Sequence, residues 1–550
     1  MTLQSVPTAR GQQPILILKE GTSESRGSEA WHSNISAATM VAEVVQTSLG
    51  PKGMDKMLVS SFGDVTITND GATILNEMEI QHPAAKMMVE ISKTQDKEVG
   101  DGTTSVVILA GELLLKAEEL LEQNIHPAII IDGYREALER AIQQLEKMAI
   151  RVEPTEREIL NRIAITSVSG KVISERKEEI SRIVVEALVN VATKEKGEYK
   201  VDIDNVKIQK KAGESISETS LVNGIIIDKE VVNASMPKIV ENSRIALLDC
   251  ALEIEKTEFT EKLSIESPEK IKAFMEEEAS MLKGMVDKIT KAGANVAICQ
   301  KGIDDLVQQF LARNGVLAVR RAKKSDLEAL AKATGGKVVT NLEDLSTKDL
   351  GVAKLTVERK VGGEKWVFIE GCKNPKAVPI LVRGGTKRLI DEVERSIHDA
   401  IMVVKDVMEQ PQIVAGGGAV EMELSHHVNE WAQTLSGKEQ LAALAFAKAL
   451  EKIPLTLAEN SGLDQVNILT RLRADHQKGK VWMGIDAFSG EVADMKALNV
   501  VEPVAVKKHL LSSATEAATM IIKIDDVIAS SKMKETGQGQ KKGPSEGGEE

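Results

Sequence analysis

EVGDGTTSVVILAGELL occupies residues 98–114. Val106, Leu109, Leu113, Ala117, Leu120 and Leu121 recur at three- and four-residue spacing, which marks one face of a helix opening near Thr104. Asp101-Gly102-Thr103-Thr104 stands where that helix begins. Unsatisfied N–H groups and the helix dipole favour an anion there, glycine permits close approach, and threonine hydroxyls add donors. An aspartate at such a point can hold Mg²⁺, which prefers a few carboxylate oxygens together with phosphate oxygens and water. On spacing alone, the same four residues also describe a capped turn without a ligand.

Outward from this segment the chain is helical on both flanks. A second amphipathic stretch follows Gly133 through Ala137, Leu138, Ala141, Ile142 and Leu145. Another helix-rich block spans 410–530 and includes EQLAALAFAKALEKI and SSATEAATMIIKIDDVIAS. The middle differs. Short apolar runs at 244–249, 295–300, 315–320 and 336–341 alternate with helical segments at 268–291, 302–313 and 324–334. That cadence predicts a small α/β domain with a largely parallel sheet. Ser267-Pro268 is a helix start signal, serine capping and proline suiting the first turn. The helix it opens carries Ile271, Phe274, Met275, Leu282, Met285, Val286 and Ile289 on an apolar stripe. With the charged segment before it, this reads as a surface helical hairpin or as a contact arm for partner chains, because methionine surfaces adapt their shape.

Composition narrows the functional classes. A chain of 550 residues exceeds one hydrophobic core and implies several domains. With 42% hydrophobic residues it is not a disordered chain. Seventy Lys+Arg against 83 Asp+Glu leave a net charge of −13, which lacks the global field that attracts nucleic acid or anionic membrane. Aromatics are 2% of the chain, so the core is aliphatic and base-stacking platforms are missing. Cys250, Cys299 and Cys372 are widely spaced and form no CxxC pair, which excludes a disulfide framework and a zinc site and suits a reducing cytosol. No long apolar run or signal core is present, so no membrane insertion is expected. The tail after Asp525-Asp526 is rich in Gly, Ser, Lys and Glu and reads as a solvated, disordered terminus.

Other motifs are individually plain. In VTITNDGATIL (65–75), Val65 and Ile67 alternate as a strand does, and Asn69-Asp70-Gly71 reads as a tight hairpin turn. TSLGPKGMDKM (47–57) is a further Gly/Pro turn, and AGGGAVEMEL (415–424) sets three glycines before a helix. Asp399 adjoins the stripe Leu389, Val393, Ile397, Ala400, Ile401 and Val404 and, read alone, is an exposed helix residue. His426-His427 are adjacent, so their rings leave a helix on different sides and make no metal pair. There is no Walker A loop, GxSxG, HExxH or Cys–His arrangement.

The order of these motifs is distinctive. TSLGPKGMDKM, GDVTITNDGATIL, GDGTTSVVILAGELL, the triple glycine and GIDAFSGEVADMKALNVVEP follow one another as in the group II chaperonins, and the chain resembles the archaeal thermosome branch of that family over about residues 16–531. PAAKMMVEISKTQDKEVGDGTT and GVLAVRRAKKSDLEALAKATGG are specific to the likeness. The resemblance implies a multidomain α+β chain. A helical equatorial ATPase domain would comprise 1–155 and 410–531, and a small α/β intermediate domain 156–226 and 378–409. An α/β apical domain would span 227–377 with a helical lid protrusion at 253–282, leaving 532–550 as the disordered tail.

The resemblance also implies site residues. Ser48, Leu49, Gly50 and Pro51 would line the nucleotide; Asp101 would ligate Mg²⁺, with Gly102, Thr103, Thr104 and Ser105 around the phosphates. Asp70 and Asp399 would orient or activate the attacking water. Ser169, Gly170 and Lys171 form the segment that carries the family's γ-phosphate-sensing lysine, and Gly417, Asp486, Ala487 and Glu502 would contact the base and ribose. The chain departs from the family pattern at Val172-Ile173-Ser174, where small residues are usual, and at Lys387-Arg388, where acidic or polar residues are usual.

The function so implied is an ATP-dependent, Mg²⁺-requiring chaperone that binds ATP and ADP and encloses unfolded polypeptide. It would form a double ring of eight or nine subunits, of one kind or mixed with paralogues, in the cytoplasm, with no nucleic-acid partner. Phosphoryl transfer to water needs charge neutralisation and in-line positioning more than covalent chemistry. A rival class is a structural ring or filament that scaffolds or stabilises membranes and uses ATP only as a conformational switch. A small-molecule kinase would need an acceptor pocket that nothing in the sequence provides.

Overall fold

The computed structural model describes residues 23–171, 173–254, 268–372 and 378–529. The chain builds three large apolar cores. The first is helical and draws on both ends of the sequence: helices Ser28–Gln46, Pro83–Val99, Thr103–Glu122 and Pro127–Met148 pack with Ala419–Ala432, Glu439–Leu450 and Val504–Ile522. Helix Thr103–Glu122 is central, with Val106, Leu109, Leu113, Leu114 and Ala117 fully buried. Truncating one such leucine to alanine costs about 2–5 kcal/mol. Two helices of this core start alike: the imidazoles of His82 and His126 each accept the N–H two residues on, at 3.3 and 3.1 Å, and proline fills the first helical position.

The second core holds helices Arg157–Val168, Lys177–Val191 and Lys387–Glu409 against strands Val206–Ala212, Val378–Gly384 and Ser220–Leu221. The chain passes between the first two cores at Ile150–Arg151 and at Gln412–Ala415. These crossings pair antiparallel with each other, and Val501–Pro503 completes a three-stranded sheet. Gly100, which ends helix Pro83–Val99 at φ 69°, brings the two bodies close: a Cβ there would lie 2.2 Å from Met402 Cβ on helix Lys387–Glu409.

The third core surrounds a seven-stranded sheet. Its observed strands include Ile239–Leu248, Val296–Cys299, Leu317–Val319 and Val338–Val339, close to the four apolar runs. The largely parallel sheet expected from the strand–helix cadence is corrected to a mixed one. Those four strands pair in parallel, but Gly351–Val361, Glu364–Cys372 and Gly224–Ile227 add three antiparallel pairings. Gly351–Val361 and Glu364–Cys372 form a hairpin over Gly362-Gly363, and hairpin strands carry no intervening helix to announce them. Helix Pro268–Lys291 buries Leu282, Val286 and Ile289 in this core, while Phe274, Met275 and Met281 nearer its start are exposed. The Ser267 cap, Val172, most of the segment before that helix and the 532–550 tail lie outside the described residues. Among the described residues, no helix is long and apolar enough to cross a membrane.

Candidate functional site

A cavity of about 590 Å³ opens where the first and second cores meet. Its floor is the start of helix Thr103–Glu122. Gly102, in the left-handed region at φ 77°, turns the chain into the helix, so Thr103, Thr104 and Ser105 present first-turn N–H groups toward the cavity. The Asp101 carboxylate accepts the Gly102 N–H at 2.6 Å, and burial pushes its pKa up although Lys171 opposes the shift.

Asp70 is placed by a different local device from the tight hairpin turn read in the sequence. The hairpin turn lies earlier, between strands Lys56–Val59 and Val65–Thr68. Asn69-Asp70-Gly71 is the junction from strand to helix Gly71–Glu77, which Asp70 caps: its Oδ2 accepts the Thr73 N–H at 2.8 Å and the Thr73 hydroxyl at 2.7 Å. Its Oδ1 accepts the Thr103 hydroxyl at 2.9 Å, tying it to the glycine–threonine turn. Short polar residues before a helix serve either structure, so the local sequence left both open.

Asp399 is corrected from exposed to buried. Helix Lys387–Glu409 is packed on most of its circumference, and Glu392, Asp399 and Asp406 are all buried within it, so one apolar stripe underestimates its covered surface. The Asp399 carboxylate pairs directly with the Lys171 ammonium. Burial works against both charges, but each outweighs it for the other: Asp399 is held below the usual carboxylate range, and Lys171, with Asp101 also beside it, is held above the usual lysine range. Asp96 and His398 complete this end, their ligand atoms and those of Asp399 lying within 4.8 Å of one another. Asp96 is pushed up to about 6 by burial and by Asp399 and Asp70.

The opposite wall is built by the triple glycine and the hairpin Met483–Asp486/Glu491–Asp494. Gly417 has φ 63°, and a Cβ on it would lie 2.6 Å from Met495 Sδ; its carbonyl accepts the Ile485 N–H at 2.9 Å. The Ser489 hydroxyl and the Phe488 N–H hold the Asp486 carboxyl below its ordinary value. Glu502 shares the Lys507 ammonium with Glu421, at 2.7 and 2.8 Å; burial raises the Glu502 carboxyl, and the two carboxylates keep Lys507 charged against burial.

Every residue assigned to the site from sequence lines this one cavity: Ser48, Leu49, Gly50 and Pro51; Asp70; Asp101 through Ser105; Ser169, Gly170 and Lys171; Asp399; Gly417; Asp486 and Ala487; and Glu502. Gly170 packs against Gly50, where a Cβ would come within 2.8 Å of the Gly50 carbonyl, and Asn69 donates to the Gly170 carbonyl at 2.5 Å. Asn69, Lys177, Phe488 and Lys507 also line the cavity and were not singled out. Lys507 had a usable signal, a lysine in the apolar run PVAVKKHLL. Lys177 and Phe488, 5.7 Å apart from ammonium to ring centroid, meet only through the fold.

The donor set suits a nucleotide with a divalent cation. Asp70, Asp101 and Asp399 face Lys171, leaving unbalanced negative charge beside a helix N-terminus that favours anions. Residues 41–532 match the model of the TCP-1/cpn60 chaperonin family. The chain is 57% identical over 534 residues to a thermosome subunit of Pyrococcus horikoshii, covering 97% of each chain. It is 56% identical over 539 residues to thermosome subunit alpha of Archaeoglobus fulgidus, covering 98% of each. It is 56% identical over 531 residues to thermosome subunit beta of Thermococcus kodakarensis, covering 96% of this chain and 97% of that one. With the family match running through both helical ends and the α/β middle, the chain belongs to the TCP-1/cpn60 chaperonin family.

Proposed function

We propose that this ATP-dependent group II chaperonin hydrolyses ATP in the cavity between its first two cores and uses the reaction to close over unfolded polypeptide. The carrying observation is that phosphate-end residues come from both bodies: Asp70 and Asp101–Ser105 from the helical one, Lys171 and Asp399 from its neighbour. The three cores correspond in this reading to equatorial (1–155, 410–531), intermediate (156–226, 378–409) and apical (227–377) domains.

The first-turn N–H and hydroxyl groups of Thr103, Thr104 and Ser105 bind phosphate oxygens, and Asp101 holds Mg²⁺. When bound, Mg²⁺ neutralises phosphate charge. Asp70, fixed by Thr73 and Thr103, and Asp399 orient the attacking water, and Asp399 accepts its proton. Lys171 exchanges Asp399 for the terminal phosphate, which leaves the Asp399 carboxylate free for water. Gly417, Asp486, Ala487 and Glu502 hold the nucleoside end. Because Asp399 and Lys171 ride on the second body, turnover requires that body to be seated on the first, and the nucleotide state thereby biases domain closure.

Assembly into a cytoplasmic double ring of eight or nine subunits, alone or with paralogues, belongs to the same reading. The hairpin Lys56–Val59/Val65–Thr68 supports it: Met57, Val59 and Phe62 stand in solvent, Phe62 with 93% of its surface exposed. The test is refolding of a denatured enzyme with and without ATP, alongside steady-state phosphate release and end-on electron microscopy. ATP-dependent recovery by ring particles is expected. Particles that consume ATP without improving recovery would leave only a scaffold.

A further inference from the structure

The wall opposite the phosphate end rests on a buried pair that phosphate chemistry does not use. His476, in the last turn of helix Gln465–Gln477, has no exposed side-chain surface. Its Nδ1 lies 2.6 Å from Glu423 Oε2, and its Nε2 lies 2.8 Å from the carbonyl oxygen of Met483. Glu423 belongs to helix Ala419–Ala432, which starts directly after Gly417-Gly418. Met483 opens the strand that ends at Asp486.

These contacts form a brace. Among the described residues, strand Met483–Asp486 pairs only with Glu491–Asp494, and a two-stranded hairpin is marginal by itself. Ile485 fastens it to Gly417 through one backbone hydrogen bond, and His476 fastens Met483 to the helix that follows Gly417. Met422, Leu472, Ile485 and Val492 fill the space between. The Met483 carbonyl can only accept, so Nε2 carries hydrogen, and at 2.6 Å Nδ1 and the Glu423 carboxyl are joined by a short hydrogen bond.

We propose that Glu423 and His476 are a positioning pair for nucleotide recognition, locking strand Met483–Asp486 against the triple glycine so that Asp486 and Ala487 meet the nucleoside end. This rests on the placement of the nucleoside given under Proposed function. Neither residue lines the cavity, so the pair acts through the strand.

The test uses the full-length assembled chain and measures KM for ATP, kcat at saturation and Kd for ADP. His476→Phe keeps an aromatic ring, larger than the imidazole, and removes both ring nitrogens; KM and Kd rise about tenfold or more while kcat stays within about twofold. Glu423→Gln leaves a neutral ring donating to Met483 and accepting from the new amide, so all three constants stay near wild type. A pair serving stability alone would instead lower kcat and particle yield together and leave KM unchanged. Should His476→Phe fail to assemble, Glu423→Leu/His476→Phe leaves no buried carboxylate unpaired and is expected to show the same rise. Unchanged KM and Kd in whichever of the two variants carrying His476→Phe assembles overturn the proposal. Asp486→Ala separates the two levels. If it weakens ADP binding and the His476 variants do not, only the positioning role fails; if it has no effect, the nucleoside placement fails and the proposal with it.

Discussion

Lys171 and Asp399 are 228 positions apart in the chain and form a buried ion pair at the seam between two cores. Breaking such a pair on one side leaves an uncompensated buried charge unless a ligand takes the partner's place. In the proposed site the terminal phosphate takes that place for Lys171. Asp399→Ala is therefore expected to keep ATP binding within a few-fold of wild type, because Lys171 then has the phosphate alone. Phosphate release should fall by about 10²–10⁴, the usual contribution of a positioned general base. Calorimetric ATP titration beside a steady-state phosphate assay checks both halves, and undiminished turnover removes Asp399 from the mechanism.

Asp101 stands immediately before the helix that offers first-turn N–H groups to the cavity. Its carboxylate bonds only the neighbouring Gly102 N–H among the hydrogen bonds described, which leaves oxygen lone pairs for a cation. Asp101→Ala should weaken Mg·ATP binding by about tenfold or more while changing Mg-free ATP binding little. Chelating the metal should bring wild type down to the variant. Equal Mg²⁺ dependence in the two proteins would argue that another group holds the ion.

Much of this site was legible because local rules act on contiguous residues. The helix opening at Thr103 follows from a glycine turn and an apolar stripe, and the helix after the triple glycine begins where the sequence places it. What stayed hidden depends on pairing across the chain. Asp399 on its own looked exposed, since periodicity reports one buried face and cannot report a helix enclosed on most sides. Asn69-Asp70-Gly71 fits a hairpin turn or an N-cap equally, and the following helix settles which. His476 gave no motif at all: its partners, Glu423 and Met483, lie 53 and 7 positions away. The resemblance in motif order recovered residues that no local rule connected.

Gly417 tests the nucleoside wall by sterics. At φ 63° an L-residue is strained by about 1 kcal/mol. A Cβ would also lie 2.6 Å from Met495 Sδ and 3.1 Å from the Ile485 carbonyl. The methionine side chain can give way, but the backbone oxygen belongs to the strand that ends at Asp486. Gly417→Ala should therefore displace that strand and raise KM for ATP by about tenfold. Assembly should persist, because the helical core lies beyond the turn. Sedimentation velocity with ATPase kinetics distinguishes this result from unfolding, and an unchanged KM would mean the strand does not report on the nucleotide.

Asp96 carries the pH prediction. Burial, with Asp399 and Asp70 nearby, raises its pKa from 3.8 to about 6, so the native state keeps a proton that the unfolded chain releases lower on the scale. Stability then falls as pH rises from about 4 to about 6, and the deficit is complete above that window and absent below it. Asp96→Asn removes the titration. It should raise the apparent melting temperature at pH values above the window and leave it unchanged below. A two-unit shift would correspond to about 3 kcal/mol; partial solvent exposure of the carboxyl brings the expected gain nearer 1 kcal/mol. His398 opposes part of the gain, since its own raised pKa owes more to Asp399 but something to Asp96, and its charge loses that support in the variant. The gain must therefore shrink steadily as the pH is lowered through the window. Thermal unfolding of both proteins across that range provides the check, and a difference independent of pH would show that the asparagine acts through packing and not through the lost charge.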